Sequence, residues 1–376
     1  MRKTNGLRTW IEVDRRAIAQ NYRSCRALLS KKTQLMAVIK SNAYGHSLVD
    51  FGREMERLGA DFIGVDSIVE GLTLRQNGIK LPILVLGYTL DDRLEDAAVN
   101  DIAVTVANFE SFKNILQSQL IRPIKIHFKV DTGMHRQGFL EKDLPRVLSL
   151  CQNSDKFKIQ GLYTHFASAK NPAFPKETKK QIEKFLLWKK AFQNAGFSPI
   201  CHAAATAGAI IFPESHFDLV RFGIGLYGYY PSPEVRSLAA PRLNFQPALS
   251  WKAIIAEVKW IKKGERIGYD LTETLPRDSK LAVVPVGYWH GLPRVLSSIG
   301  YVAVLGKRAR IIGRISMDMI VVDVTEIPGV KVGSEVIIIG RSGHLAITAE
   351  DLAILANTIN YEIITRINPL IRRIYK

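Results

Sequence analysis

The chain has 376 residues, 47% hydrophobic and 23% charged, with 52 Lys and Arg against 35 Asp and Glu for a formal charge of +17. That is long enough for two domains and ordinary for a soluble globular protein, and no stretch approaches the roughly 18 uninterrupted apolar residues of a membrane-spanning helix. The positive charge is dispersed over Lys31-Lys32, Lys179-Lys180, Lys189-Lys190 and Lys262-Lys263, without zinc-finger spacing or an RNA-recognition signature, so it reads as solvated surface; no nucleic-acid partner, membrane or metal is expected.

The chain starts Met1-Arg2-Lys3-Thr4-Asn5-Gly6-Leu7-Arg8, basic but with no apolar run behind it, which argues against a secretory signal. Cys25, Cys151 and Cys201 are few, odd in number and widely spaced, a pattern that suits a reducing cytoplasm. Trp10-Ile11-Glu12-Val13-Asp14 is strand-like, and Asp14 is placed to cap a following helix. From about residue 30 to 225, short β-branched runs alternate with longer amphipathic ones. The expected strands are 36–40, 62–67, 83–88, 102–106, 124–130, 159–165, 200–204 and 219–222, and the clearest helices run from Phe109 to Leu120 and from Lys176 to Ala195. Eight such repeats imply a closed (β/α)8 TIM-type barrel, assigned to residues 15–235; from pattern alone a doubly wound sheet is the alternative.

After Tyr229-Tyr230-Pro231 the texture changes. Strand-like runs at Leu249 to Ile261, Leu281 to Gly287, Ile311 to Thr325 and Glu335 to Gly340 are separated by Gly, Pro and charged turns. They predict a mainly β second domain, residues 236–376. Thr348 is expected to cap a late helix through Asn357, with Glu350 and Asp351 in its first turn.

Chemistry in a (β/α)8 barrel sits where strands end. Met36-Ala37-Val38-Ile39 ends on Lys40 and passes into Ser41-Asn42-Ala43-Tyr44-Gly45-His46. A lysine there costs free energy unless its amine is neutral, paired or covalently used. Lys129 and Arg136 flank the fifth strand in Lys129-Val130-Asp131-Thr132-Gly133-Met134-His135-Arg136; His165 ends the sixth, Thr206 follows the seventh, and Arg221-Phe222-Gly223-Ile224 follows the eighth. Each alone has a plain structural explanation, but their recurrence at successive strand ends does not.

These motifs resemble those of the alanine racemases, fold-type III enzymes dependent on pyridoxal 5'-phosphate, along nearly the whole chain. The resemblance implies an isomerase that interconverts L- and D-alanine for peptidoglycan, as a cytoplasmic homodimer with shared active sites. It implies that Lys40 forms the Schiff base with the cofactor, that Tyr44, Thr206, Gly223, Ile224 and Tyr361 hold its phosphate, and that Leu84 and Leu86 line its pocket. Arg221 would face the pyridine nitrogen and, because arginine holds its proton, would leave that nitrogen largely unprotonated. Lys40 and Tyr269, in Gly268-Tyr269-Asp270, would be bases on opposite faces of the substrate, with His165 linking Tyr269 to Arg221. By the same resemblance Tyr269 comes from the partner subunit, residues 1–14 with the first strand join the C-terminal domain, and Met317 lies near the substrate carboxylate. Arg136 would serve both cofactor and substrate, and Lys129 matches a lysine that carbon dioxide carbamylates in many members.

The chain departs from the family pattern at Ala205 (usually Asn), Phe222 (often Pro), Lys170 and His290 (usually Asp) and Asp270 (commonly Gly). A racemase acting on another or broader set of amino acids, such as serine, and a non-catalytic pyridoxal phosphate-binding protein are the alternatives. The missing His-x-Gly-Ser and Glu-Pro-Gly-Arg motifs argue against a decarboxylase of the same fold type.

Overall fold

Short runs that are apolar on both faces can be satisfied only in the middle of a sheet covered by helices. The computed structural model, which describes residues 6–152 and 154–376, shows this; the first five residues of the basic N-terminal stretch lie outside the described residues. Strand β1 (Thr9–Val13) belongs to another sheet, discussed below. The next eight are β2 (Gln34–Val38), β3 (Phe62–Val65), β4 (Ile83–Val85), β5 (Ile102–Val106), β6 (Ile124–Lys129), β7 (Phe157–Tyr163), β8 (Ile200–His202) and β9 (Leu219–Phe222). They pair in parallel in the order β8-β7-β6-β5-β4-β3-β2-β9. Between β8 and β9 the contact thins to a bridge of Ala205 with Arg221 and a bond from Arg221 N–H to the Ala204 carbonyl at 3.1 Å. The result is a nearly closed TIM-like barrel, as the sequence predicts.

Six of the eight expected strands end earlier than read, two of them at site residues. Lys40 does not end its strand: β2 stops at Val38, and from Ser41 the backbone is left-handed and cannot continue a ladder. His165 likewise lies two residues beyond β7.

The remaining strands are β10 (Leu249–Ile254), β11 (Glu257–Ile261), β12 (Arg266–Ile267), β13 (Glu273–Thr274), β14 (Ser279–Val284), β15 (Tyr301–Val304), β16 (Lys307–Ile312), β17 (Ile320–Asp323), β18 (Glu335–Ser342), β19 (Leu345–Ile347) and β20 (Arg373–Tyr375). The run expected from Leu249 to Ile261 is thus two strands, as is that from Ile311 to Thr325, which Gly313, at φ 67°, interrupts. The sheet runs β11-β14-β17-β16-β15-β18-β10-β1-β20, with β19 on β18, while β12 and β13 form a separate hairpin. β1 lies antiparallel to β10 and parallel to β20. Thr348 caps the helix Ala349–Leu355 with a reciprocal box: its hydroxyl accepts from Asp351 N–H, and the Asp351 carboxylate accepts from Thr348 N–H.

The chain divides into two units. One, the barrel unit, holds 16–43 and 48–246; the other, the β unit, holds the described residues up to Arg15, 44–47 and 247–376. All three cysteines are buried free thiols. Among the described residues, no helix is long and apolar enough to cross a membrane.

Candidate active site

Just past β2, Ser41, Asn42, Ala43 and Tyr44 all take left-handed backbone angles, φ 49° to 56°, without a glycine among them. Such a conformation costs roughly 1 kcal/mol or more per residue, so something must hold it. Asn42 Oδ1 accepts from Leu48 N–H (2.9 Å), Asn42 N–H donates to Glu70 Oε1 (3.2 Å), and Ala43 N–H donates to the Ile39 carbonyl (2.8 Å). The other oxygen of Glu70 accepts from Asp66 N–H (2.9 Å), and Asp66 Oδ1 in turn pairs with Lys40 Nζ at 2.9 Å. One glutamate thus fixes both the turn that carries the lysine and the backbone of the lysine's counter-ion.

The loop after β6 is pinned by Asp131, whose Oδ1 accepts the N–H groups of Gly133, Met134 and His135 at 2.9–3.1 Å. Gly138, at φ 135°, passes so close that a Cβ would stand 2.6 Å from Asp131 N. The loop holds Arg136 exposed and buries Lys129, whose Nζ donates to Gln137 Oε1 at 2.9 Å. Burial, with the charges of Arg136, Arg221 and Lys40, lowers the Lys129 pKa to about 8 despite Asp131.

Arg221 on β9 is buried and donates to four acceptors. They are His202 Nδ1 (2.7 Å), the carbonyls of Thr164 and Ala203 (both 2.8 Å), and His165 Nδ1 (3.2 Å). Burial lowers its pKa to about 10, which leaves it charged at neutral pH. Tyr163 lies beside it with the ring centroid 5.2 Å from the guanidinium carbon, and stacks on His202 at 4.7 Å. Burial and the cations Arg221, Arg136, Lys129 and Lys40 push the His165 pKa down to about 3, so its imidazole is neutral. With Arg221 donating to Nδ1, the proton of His165 sits on Nε2.

The Thr206 hydroxyl accepts from Gly223 N–H (3.3 Å) and Gly225 N–H (3.4 Å), which ties the turn after β9 to the helix Thr206–Ile211. A Cβ on Gly225 would meet Thr206 Cγ2 at 2.9 Å. Ile224 is buried in that turn, Leu84 is buried on β4, and Leu86 is half-buried just beyond it. Ala205 sits at the N-cap of the short helix and, as alanine, supplies no side-chain cap bond.

The other expected residues lie in the β unit. Tyr44 and Tyr361 face each other with ring centroids 6.1 Å apart. Burial, then Tyr44, raises the Tyr361 pKa well above a free phenol's, so it stays an O–H donor. Tyr269 tips the β12–β13 hairpin and is 68% exposed; Met317 is 52% exposed. The hairpin is anchored by Glu273, which accepts from Ser298 Oγ (2.6 Å), Gly313 N–H (2.7 Å) and Arg310. Two departures acquire local partners: Asp270 pairs with Arg314 at 3.2 Å, and His290 Nδ1 accepts from Gly287 N–H at 3.2 Å. Lys170 is exposed.

Sequence reasoning missed Asp66, His127, Tyr163, His202 and Glu273. Asp66 and His202 carried the same signal as Lys40, a polar group closing an apolar strand.

The chemistry of these donors suits an anionic, aldehyde-bearing cofactor. In the barrel unit a primary amine stands near three other cations, among them a charged arginine that no carboxylate pairs with among the described residues, beside a neutral histidine and a hydroxyl–amide turn. The model described as the alanine racemase N-terminal domain matches residues 13–231, and that of the alanine racemase C-terminal domain matches 248–375. An alanine racemase of Symbiobacterium thermophilum is 39% identical, covering 99% of this chain and 98% of that protein, and one of Leptospira interrogans is 41% identical over 97% and 95%. Among solved structures, the alanine racemase of Clostridium difficile superposes with a TM-score of 0.93 at 34% identity (98% of this chain, 96% of that one). That of Bacillus anthracis with bound L-Ala-P gives 0.93 at 35% (98% and 95%). With both halves matched at full length, the chain belongs to the alanine racemase family.

Proposed function

We propose that this protein interconverts L- and D-alanine with pyridoxal 5'-phosphate as cofactor, in the cytoplasm, as a homodimer with shared active sites, supplying D-alanine for peptidoglycan. The observation that carries the reading is Arg221: buried, charged and held by four neutral acceptors rather than by a carboxylate. A group so held can be offered to a ring nitrogen without protonating it.

When bound, the cofactor supplies an aldehyde for an amine and a ring that delocalises the electron pair left when the Cα proton departs. Lys40 is the residue that would hold it covalently; Thr206, Gly223 and Ile224 of the barrel unit, and by resemblance Tyr44 and Tyr361, would take its phosphate. By resemblance Leu84 and Leu86 would line its pocket and exclude water, and Arg136 would serve both the cofactor and the substrate carboxylate, near which the resemblance also puts Met317. Lys40 and Tyr269 take and return the proton at substrate Cα from opposite faces. The neutral His165, with its N–H on Nε2, can donate to the phenol oxygen of Tyr269 and so orient it. Lys129, with a pKa of about 8, has a free amine at mildly alkaline pH and can take up carbon dioxide. The Gln137 amide would then turn its NH2 toward the new carboxylate, and Arg136 would pair with it.

Purified protein supplied with the cofactor should racemise L-alanine faster than other amino acids in a panel that includes serine. No turnover of alanine, or a clear preference for serine, would overturn the assignment. In Arg221→Glu, racemisation should slow and transamination rise, because a carboxylate favours a protonated ring nitrogen; an unchanged partition would remove Arg221 from this role.

A further inference from the structure

Below Arg221 the barrel interior holds two buried histidines that the proposed reaction does not use. His202 on β8 meets Arg221 through Nδ1 (2.7 Å), its Nε2 lies 2.9 Å from His127 Nδ1 on β6, and His127 Nε2 lies 3.2 Å from Gln160 Oε1 on β7. The protons of this chain follow from what each group can do. A guanidinium only donates, so His202 Nδ1 must accept and the proton of neutral His202 must be on Nε2. That N–H leaves His127 Nδ1 as acceptor, which puts the His127 proton on Nε2, and only an amide oxygen can receive it. Every hydrogen bond therefore points the same way, from Arg221 to Gln160.

The strand between the two histidines is shaped to let them meet. Gly161 on β7 stands directly opposite His127, and a Cβ there would fall 2.0 Å from His127 Nδ1. Any side chain at 161 would evict the ring. Tyr163 stacks on His202 and Phe62 packs edge-on against His127 at 6.4 Å, so neither ring can turn over without displacing a neighbour. Burial independently drives both imidazoles neutral, His127 to about 4 and His202 well below the ordinary value.

We propose that His127 and Gln160 are positioning residues for Arg221: they lock His202 in the tautomer whose Nδ1 lone pair receives the guanidinium. The aligned N–H dipoles turn their negative ends toward Arg221 and replace the counter-ion it lacks. With the opposite tautomer, two donors would face each other and Arg221 would be displaced. The consequence for catalysis rests on the reading of Arg221 given above; the tautomers do not.

The test is long-range proton–nitrogen NMR of the cofactor-loaded protein labelled with 15N-histidine, with His127 and His202 assigned by single substitutions. Both should read as neutral Nε2–H forms at neutral pH. Gln160→Leu, at a half-buried position, removes the terminal acceptor; His127 and His202 should become tautomer mixtures, and kcat should fall about tenfold with KM changed less than about twofold. Gln160→Glu keeps an acceptor oxygen and should retain the wild-type tautomers. An Nδ1–H or doubly protonated form of either histidine in the wild type would overturn the proposal, as would Gln160→Leu with unchanged tautomers and kcat. Should Gln160→Leu fail to fold, the wild-type spectrum and Gln160→Glu still decide. Absence of alanine racemisation with both tautomers as stated would instead count against the proposed function alone.

Discussion

The barrel mouth and the β12–β13 hairpin carry the two proposed bases in contrasting ways. Lys40 sits on a strained turn gripped by Asn42 and Glu70 and is paired with Asp66, while Arg221 has four acceptors, one of them His165, and the Thr206 hydroxyl has two N–H donors. Tyr269 stands at the tip of a hairpin of two-residue strands and is 68% exposed, with Leu271, Tyr288, Trp289, Met317 and Met319 also exposed in the β unit. A cluster of exposed aromatic and apolar groups is what a protein surface carries where something covers it. On the proposed reading, the barrel half is preorganised within its own chain and the hairpin half would be completed by a second copy. Two bases in one reaction can thus answer to different constraints: one to internal hydrogen bonds, the other to assembly.

The largest expected effect comes from breaking the barrel half. Lys40→Ala should lower racemisation by roughly a thousandfold or more and abolish borohydride-dependent attachment of the cofactor, read by peptide mass spectrometry. Attachment persisting on another lysine would remove Lys40 from its role. Next, the contrast itself can be tested by mixing Lys40→Ala and Tyr269→Ala subunits. Random exchange makes about half the dimers hybrid, each with one intact site, so roughly a quarter of wild-type activity should return. No recovery after verified exchange would mean that each chain completes its own site.

A smaller effect concerns stability. Lys129 titrates near 8 in the folded protein against 10.5 when free, so between those values the unfolded chain binds the extra proton and stability should rise with pH. Below about 8 the buried ammonium is a full penalty. In bicarbonate-free buffer, chemical denaturation should show a gain of about 3 kcal/mol across that window that Lys129→Met lacks. Equal slopes for the two proteins would show that the amine is not desolvated as described. Smallest is Glu273, the hairpin anchor: burial alone would raise its pKa, but bonds from Ser298, Gly313 and Arg310 outweigh it and hold the carboxyl below the usual value. Glu273→Gln should lower stability by about 1 kcal/mol and shift the melting temperature by a few degrees at most. A loss of activity with no change in melting would place its action on Tyr269 instead.

The barrel was legible because its strands are short apolar runs ended by polar groups; Lys40, His165 and Arg221 were read at those ends, although β2 and β7 stop two residues before Lys40 and His165, and Arg221 lies within β9 instead of after it. The turn after Lys40 was not. Ser41, Asn42, Ala43 and Tyr44 contain no glycine to announce left-handed backbone, and what enforces it comes from Glu70, distant in sequence. The His127–His202 relay was hidden for a similar reason, since it joins strands 75 residues apart across a gap that a single glycine opens. Asp270 looked like the loss of a glycine until its partner Arg314 was visible. Local composition announces strand ends; it does not announce which distant group meets them.

The segment 44–47 belongs to the β unit although its neighbours on both sides belong to the barrel unit. Gly45 shows how tightly it is built in, since a Cβ there would lie 2.2 Å from the Ile364 carbonyl oxygen, and Arg373 donates to the Gly45 carbonyl at 3.0 Å. The backbone therefore changes unit at 15/16, 43/44, 47/48 and 246/247, and a single break in the gene near residue 247 does not yield two self-sufficient pieces. Any chimera that exchanges one unit with a relative must move those four residues along with the distant C-terminal segment. Recombination at the obvious boundary would instead leave each parent's tetrapeptide in the other's structure, so the two units are inherited as one.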